Sequence, residues 1–304
     1  MPYKLMLALL ATMSLLIPGS LHALAQDEEP PAERAPAQAS EAEEKDAIID
    51  LLDELVTSIT DQGITPFEGI AYPFVVLKGG DDPGMAVFEG SADLGGGGDA
   101  VMILSDAEIE LMGRVAVAEF VFGLADEPRA RAKAFAVFAK PLGFWVVQAL
   151  GLAPAAPLEG SEDEGELTDM PSDRDAVAGL MIAFVDSLTT TGPREFPGLE
   201  APFIYMDGAS GQLLAYAESL DFPVPGDPLE LRATDIESTV LPGLALTSAR
   251  VLGPDEFADF RILSIRGPGR WQIMMACVAP GQPLERRLEG EGEGDDAGEE
   301  DGEG

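Results

Sequence analysis

The chain repeats itself, and the repeat limits what it can fold into. From Asp46 to Ile59 the apolar positions are Ile48, Leu51, Leu52, Leu55, Val56 and Ile59. From Asp175 to Leu188 they are Val177, Leu180, Met181, Phe184, Val185 and Leu188, each 129 positions further on. Spacing of i, i+3/i+4, i+7 reads as an amphipathic helix with one face on a core. The same offset aligns Pro73-Phe74-Val75-Val76 with Pro202-Phe203-Ile204-Tyr205. Ile109-Glu110 then aligns with Ile236-Glu237 at 127, and Gly143-Phe144-Trp145 with Gly269-Arg270-Trp271 at 126. Order and spacing survive with about three residues lost from the second copy, which is the mark of a duplicated unit. The 304 residues are therefore expected to fold as two copies of one domain.

Within each copy an opening helix leads to a strand at Phe74 to Leu77, or Phe203 to Met206. The next segment, Gly84 to Leu94 or Gly211 to Leu220, reads as a helix from Leu213, Leu214, Tyr216 and Leu220. Strands at Ala100 to Leu104, Val115 to Phe122, Ala132 to Lys140 and Phe144 to Leu150 complete the first copy. The turn chemistry of Lys140-Pro141-Leu142-Gly143 separates the last two, as Arg266-Gly267-Pro268-Gly269 does in the second. A helix followed by an antiparallel meander buries itself by curling the sheet around the helix. The expected class is α+β: two rolls, helices packed in a curved, mostly antiparallel sheet.

Charge divides the chain. The net charge is −37, and 25 of the 55 acidic residues fall in three segments, 26–45, 159–175 and 285–304. Such runs repel themselves and carry too little apolar surface to offset ordering, so they read as solvated linkers and a disordered tail. The division expected is a signal peptide over 1–25, a linker over 26–45, domains over 46–152 and 174–282 separated by a linker over 153–173, and a tail over 283–304. Lys4, the apolar run Leu5 to Ile17, the break at Pro18-Gly19 and Ala23-Leu24-Ala25 form a cleavable export signal ending before Gln26. The run is too short to span a bilayer. The only cysteine, Cys277, is not placed for lipid attachment and lies in an apolar run as a buried thiol. A bacterial periplasmic or secreted location follows, with no membrane span after cleavage. Nucleic acid is excluded as a partner, since a polyanion is bound by clustered Lys and Arg.

The order of elements, the closing hairpin with Gly-x-Trp, and the Gly-Arg-Val-Ala-Val-Ala step at Gly113 to Ala118 together resemble the nuclear transport factor 2-like superfamily, in its SnoaL-like and ketosteroid-isomerase-like branch. The resemblance covers roughly 46–152 and 174–281. It implies cone-shaped domains, each a bent sheet wrapping the helix with a pocket at the open end, and pairing through the outer face of the sheet. Here the two copies would pair within one chain, giving a monomer with an internal pseudo-dimer.

The one histidine, His22, lies in the signal segment. Ser-His-Asp and Cys-His catalysis, His-ligated zinc and the family's His-Asp dyads are thereby removed, and one cysteine removes thiolate metal sites. No metal or cofactor is expected. The acidic Gly-rich tail lacks the ligand spacing of a calcium loop, and Gly95 to Gly98 lacks the Lys-Ser/Thr of a phosphate loop. Isomerase-like relatives work without histidine, with a carboxylate raised in pKa by an apolar pocket and a phenol donor. The candidate carboxylate is Glu119, on the strand face of Val115, Val117 and Val121, and it also reads as an exposed edge residue. Gln148, Tyr72, Tyr205 and Tyr216 are pocket candidates that read equally as packing residues, and the duplicated Trp145 and Trp271 read as structural. Glu119 and Gln148 are not reproduced in the second copy, where Ser248 and Met274 occupy the corresponding places at offsets of 129 and 126, so a site built on them would belong to one domain. The leading expectation is a non-catalytic module binding a small apolar ligand or an envelope protein. The alternative is a cofactor-independent isomerase or hydrolase acting in the first domain.

Overall fold

A computed structural model describes residues 40–61, 67–80, 82–90, 102–124, 127–153, 171–190, 196–217 and 230–284. The expected signal segment, most of both linkers, the tail and Gly95 to Gly98 lie outside these residues. In the first copy helix α1 (Glu41–Asp61) precedes β1 (Ile70–Lys78), β2 (Gly84–Phe88), β3 (Met102–Met112), β4 (Val115–Leu124), β5 (Glu127–Ala139) and β6 (Val146–Leu152). In the second, α2 (Pro171–Thr190) precedes β7 (Leu199–Asp207), β8 (Gln212–Ala217), β9 (Arg232–Leu241), β10 (Leu244–Leu252), β11 (Glu256–Gly267), β12 (Arg270–Val278) and the short β13 (Gln282–Pro283). The sheets run β2-β1-β6-β5-β4-β3 and β8-β7-β12-β11-β10-β9, the same order element for element. Only β1 with β6 and β7 with β12 pair in parallel. Both are mixed sheets with one helix each.

Every central strand is buried on both faces. On one face of the first sheet, Ile48, Leu52 and Leu55 of α1 pack with Phe74, Ala116, Ala118, Ala136 and Phe138. On the other, Met112, Val115, Val117, Phe135 and Val137 share a core with Met206, Leu244, Leu246, Leu263 and Met275 of the second sheet. This explains why β12 is buried without a break from Trp271 to Val278: past the register shift at Met274, Met275, Ala276, Cys277 and Val278 alternate in which core they join, not in polarity. The two domains thus meet through equivalent faces, and their turns cross reciprocally. The Gly80 amide donates to Pro242 O at 2.6 Å, and the Arg114 amide donates to Gly208 O at 2.7 Å, so the β1–β2 turn of each domain rests on the β3–β4 turn of the other. The internal pairing implied by the family resemblance is the geometry found.

Several expectations change. Gly84 to Leu94 and Gly211 to Leu220 supply strands, not helices, over their described parts. Phe74 to Lys78 pairs with Phe88 to Gly84, and β8 pairs with β7, while Met85, Val87 and Leu213 lean on the shared core. Runs of five or six apolar residues fit either period, and the unpaired edge of β1 or β7 decides for the strand. The helices begin inside the expected linkers, α1 at Glu41 and α2 at Pro171. Ser40 and Glu43 form a capping box, the Ser40 amide donating to Glu43 Oε2 at 2.7 Å and the Glu43 amide to Ser40 Oγ at 3.3 Å. Pro171 opens α2, where its missing N–H costs nothing. Strand β3 continues past Leu104 to Met112.

The pairing of Ile109-Glu110 with Ile236-Glu237 is also corrected. Met112 faces Val115 across its turn as Leu241 faces Leu244, which holds the offset at 129 and makes Glu108 the counterpart of Glu237. Val115 faces Ala139 and Leu244 faces Ile265, so the three lost residues fall between the fourth and fifth strands of the copy. Asp106 and Asp235, at φ 52° and 51°, sit at matching register shifts in β3 and β9. A short polar side chain tolerates that left-handed backbone, and a bulge twists an outer strand away from further pairing.

Candidate functional site

A cleft of about 390 Å³ opens between the domains, lined by Glu108, Ile109 and Glu110 of β3, Val117 and Glu119 of β4, Glu237, Ser238 and Thr239 of β9, Leu246 and Ser248 of β10, and Arg261 of β11. At the offset of 129 these residues pair off as Glu108 with Glu237, Ile109 with Ser238, Glu110 with Thr239, Val117 with Leu246 and Glu119 with Ser248. The cleft therefore straddles the axis relating the two copies, and the copies have diverged where they line it. The first supplies three carboxylates. The second supplies hydroxyls, one carboxylate and Arg261, whose counterpart 126 positions earlier is Phe135.

Two polar contacts cross the boundary here. Arg261 grips Glu110 with two nitrogens, Nε to Oε2 at 2.6 Å and Nη2 to Oε1, the fork geometry in which guanidinium and carboxylate fit best. Thr239 Oγ1 donates to Glu119 Oε1 at 3.2 Å. Burial pushes the Glu119 carboxyl above its ordinary value, opposed by the Thr239 hydrogen bond and the charges of Lys133 and Arg261, and assisted by Glu108, which faces it in the β3–β4 register.

Of the residues picked from the sequence whose side chains are described, only Glu119 lines this cleft. It is not an edge residue, since β4 lies between β5 and β3, and the cleft it lines draws on both copies, because the face it shares with Val115 and Val117 is the one that meets the second domain. Gln148 is buried and donates through Nε2 to Pro73 O, securing the irregular stretch of β1 between Ile70 and Val75. Tyr72, joined to Pro73 by a cis peptide, is 41% exposed. Tyr205 packs on the helix side of the second sheet, where burial first, then Asp207 and Cys277, raise its phenol. Tyr216 lies in β8 opposite Ile204. No tyrosine is among the described residues that line the cleft.

The tryptophans belong to a duplicated clamp. Trp145 Nε1 donates to Glu44 Oε2 at 2.5 Å, Lys140 Nζ lies 2.5 Å from Glu44 Oε1, and the same ammonium sits 5.4 Å from the Trp145 ring centroid. The second domain repeats the ion pair as Arg266 Nη1 to Asp173 Oδ2 at 2.9 Å, with Trp271 in the equivalent place. Each clamp ties the start of a helix to the last hairpin, which is a structural role.

The residues that sequence reasoning missed are Glu108, Glu110, Glu237, Thr239 and Arg261. A register of 129 through β3 would have shown Glu108 and Glu237 as a duplicated pair. Among the described residues no three His, Cys, Asp or Glu side chains are grouped to hold a metal ion, and no helix is long and apolar enough to cross a membrane.

No protein-family model matches the chain, and no curated protein matches it. Solved structures similar to it are nuclear transport factor 2-like and cystatin-like proteins. One from Shewanella baltica, of unknown function, is 13% identical with a TM-score of 0.30 over 38% of this chain and 96% of its own. A cystatin-like protein of unknown function from Nostoc punctiforme is 16% identical with a TM-score of 0.32 over 39% and 96%. A nuclear transport factor 2-like protein of unknown function from Pseudomonas putida is 18% identical with a TM-score of 0.32 over 43% and 97%.

Proposed function

We propose that this chain is an exported, non-catalytic binding protein in which two cone-like rolls, joined as an internal pseudo-dimer, hold a small molecule in the cleft between them. The observation that carries this reading is the cleft itself. It has the volume of a small-ligand site, apolar walls at Ile109, Val117 and Leu246, and polar groups from both copies. It favours a small polar molecule over the wholly apolar ligand or envelope protein expected from sequence. Export rests on the pattern of residues 1–25, and a mature chain beginning at Gln26 is its test by N-terminal sequencing.

Native mass spectrometry of the protein purified from its own envelope or medium tests the binding reading. A bound small molecule is expected on a single chain, and Ser248→Phe, which fills the cleft, should release it while circular dichroism stays unchanged. A molecule retained by Ser248→Phe places the site elsewhere.

One observation favours a second reading. Glu119 is a carboxylate of raised pKa lining a cavity, a setting suited to a general base. Were the protein an isomerase or hydrolase, Glu119→Gln would abolish turnover of the bound molecule without releasing it.

A further inference from the structure

The balance of groups around the cleft narrows what it can hold. Arg261 is the single cation in the lining, and both of its forked nitrogens are engaged by Glu110. Among the described residues an anion entering the cleft finds no unengaged positive group and meets three further carboxylates. Glu108 and Glu237 stand at equivalent positions, one from each domain, both exposed to solvent. Glu119 is different in kind: it is half-buried, and its one hydrogen bond comes from the neutral Thr239 hydroxyl. A carboxylate withdrawn from water without a cation at contact distance is an incomplete arrangement. The charged groups acting on it are Lys133 from β5, Glu108 from β3 and Arg261 from β11, and the last is already paired.

We infer that the cleft takes a small organic ammonium ion, its charged nitrogen held by Glu119 and its cross-strand neighbour Glu108, and a short carbon body laid against Ile109, Val117 and Leu246. The inference rests on the cleft being the ligand site. An ammonium has three donors and no acceptor, which suits carboxylates flanked by the acceptor oxygens of Ser238 and Ser248. A bare metal ion is a poorer match. The carboxylates are not grouped as a coordination sphere, and an ion would leave the apolar wall uncovered.

The test uses the full-length mature chain and three probes with one carbon body: butylamine, 1-butanol and butyrate, titrated calorimetrically at pH 7 and low salt. Butylamine should bind at least about tenfold more tightly than the other two, the difference a charge-assisted hydrogen bond makes. Glu108→Gln should weaken butylamine severalfold, and Ser248→Phe should abolish it. If butanol or butyrate binds as well as butylamine and Ser248→Phe removes it, the cleft is the site but the ammonium assignment is overturned. If butylamine binding survives Ser248→Phe, it reports the acidic surface at large, and the assignment is overturned too. If no probe binds and the native protein carries nothing in the mass spectrum, both the assignment and the cleft fail together. A copurified molecule lacking an amine refutes the ammonium alone.

Discussion

Gly208→Ala should loosen the seam between the domains. Gly208 lies where the turn after β7 passes over the end of β3. A Cβ added there would come within van der Waals overlap of Met112 O, 2.6 Å from Val278 O and 3.0 Å from the Ala279 Cα. All three are backbone atoms, so no side chain can swing aside. Opening the gap by roughly an ångström imposes an overpacking cost of about 1–3 kcal/mol. It also weakens the hydrogen bond from the Arg114 amide to Gly208 O, a net contribution of about 1 kcal/mol. Stiffening the unfolded chain returns about 0.4–1 kcal/mol. The net loss is about 1–4 kcal/mol, or a melting temperature lower by roughly 3–15 °C for a folded body of this size. Differential scanning calorimetry reads it directly. Gly179→Ala supplies the control of opposite sign: Gly179 is on the exposed side of α2 with nothing within 4 Å of an added Cβ. There alanine should stabilise by about 0.5–1 kcal/mol through helix propensity. If Gly208→Ala melts at or above the wild type, the two turns do not meet as described.

Glu119→Gln should raise stability at pH 7, because glutamine keeps an acceptor for Thr239 without a buried charge. The folded carboxyl is raised above its ordinary 4.5, so native protein binds more protons than unfolded protein between the two values. Stability gained as pH falls through that window should be flattened by the substitution, as urea titrations at several pH values will show. Glu44→Ala should cost about 1–2 kcal/mol by removing the acceptor shared by Lys140 and Trp145, whereas Asp173→Ala, which unpairs the half-exposed Arg266, should cost about 0.5 kcal/mol. The Lys140 hydrogen bond holds the Glu44 carboxyl below its ordinary value against burial, so its contribution is full above that value and lost as pH falls through the lowered one. Equal losses in thermal melts would contradict the stronger first-domain clamp. Cys277 is fully buried, and burial pushes its thiol up to about 12, so a disulfide reagent should label it only after denaturant unfolds the chain; rapid native labelling would refute its burial.

The duplication and the two long helices were legible because six matched apolar positions fix period, face and offset at once. The last hairpin was legible for a similar reason: turn residues bracket the repeated Trp145 and Trp271. Strands β2 and β8 were misread because Met85, Val87 and Leu213 are too few to distinguish a period of two from one of 3.6. Helix α1 began earlier than expected although Ser40-Glu41-Ala42-Glu43 carries a capping box in plain view, since the acidic density there was read as linker. Alternation correctly put Glu119 on the face of Val115 and Val117, yet a strand pattern names a face without saying what stands opposite. Thr239 and Arg261 are 120 and 142 positions away from Glu119, and only the packing of one sheet on the other brings them to it. Charge misled in the same way, since Glu108 and Glu237 looked like ordinary solvated residues until the cleft placed them together.

The reciprocal crossing of turns has a consequence for how such a protein can change. In a symmetric dimer of identical chains, every substitution at the seam is made twice, so an arginine replacing the Phe135-type residue would appear on both sides and demand two acidic partners. Here both halves lie on one polypeptide, and Arg261 could arise opposite Glu110 while Phe135 stayed in the apolar core. Joining the halves also makes their docking unimolecular, so the seam holds at any dilution of the protein. Covalent linkage thus leaves the two sides of one interface free to differ, as they do in the polar asymmetry of the cleft.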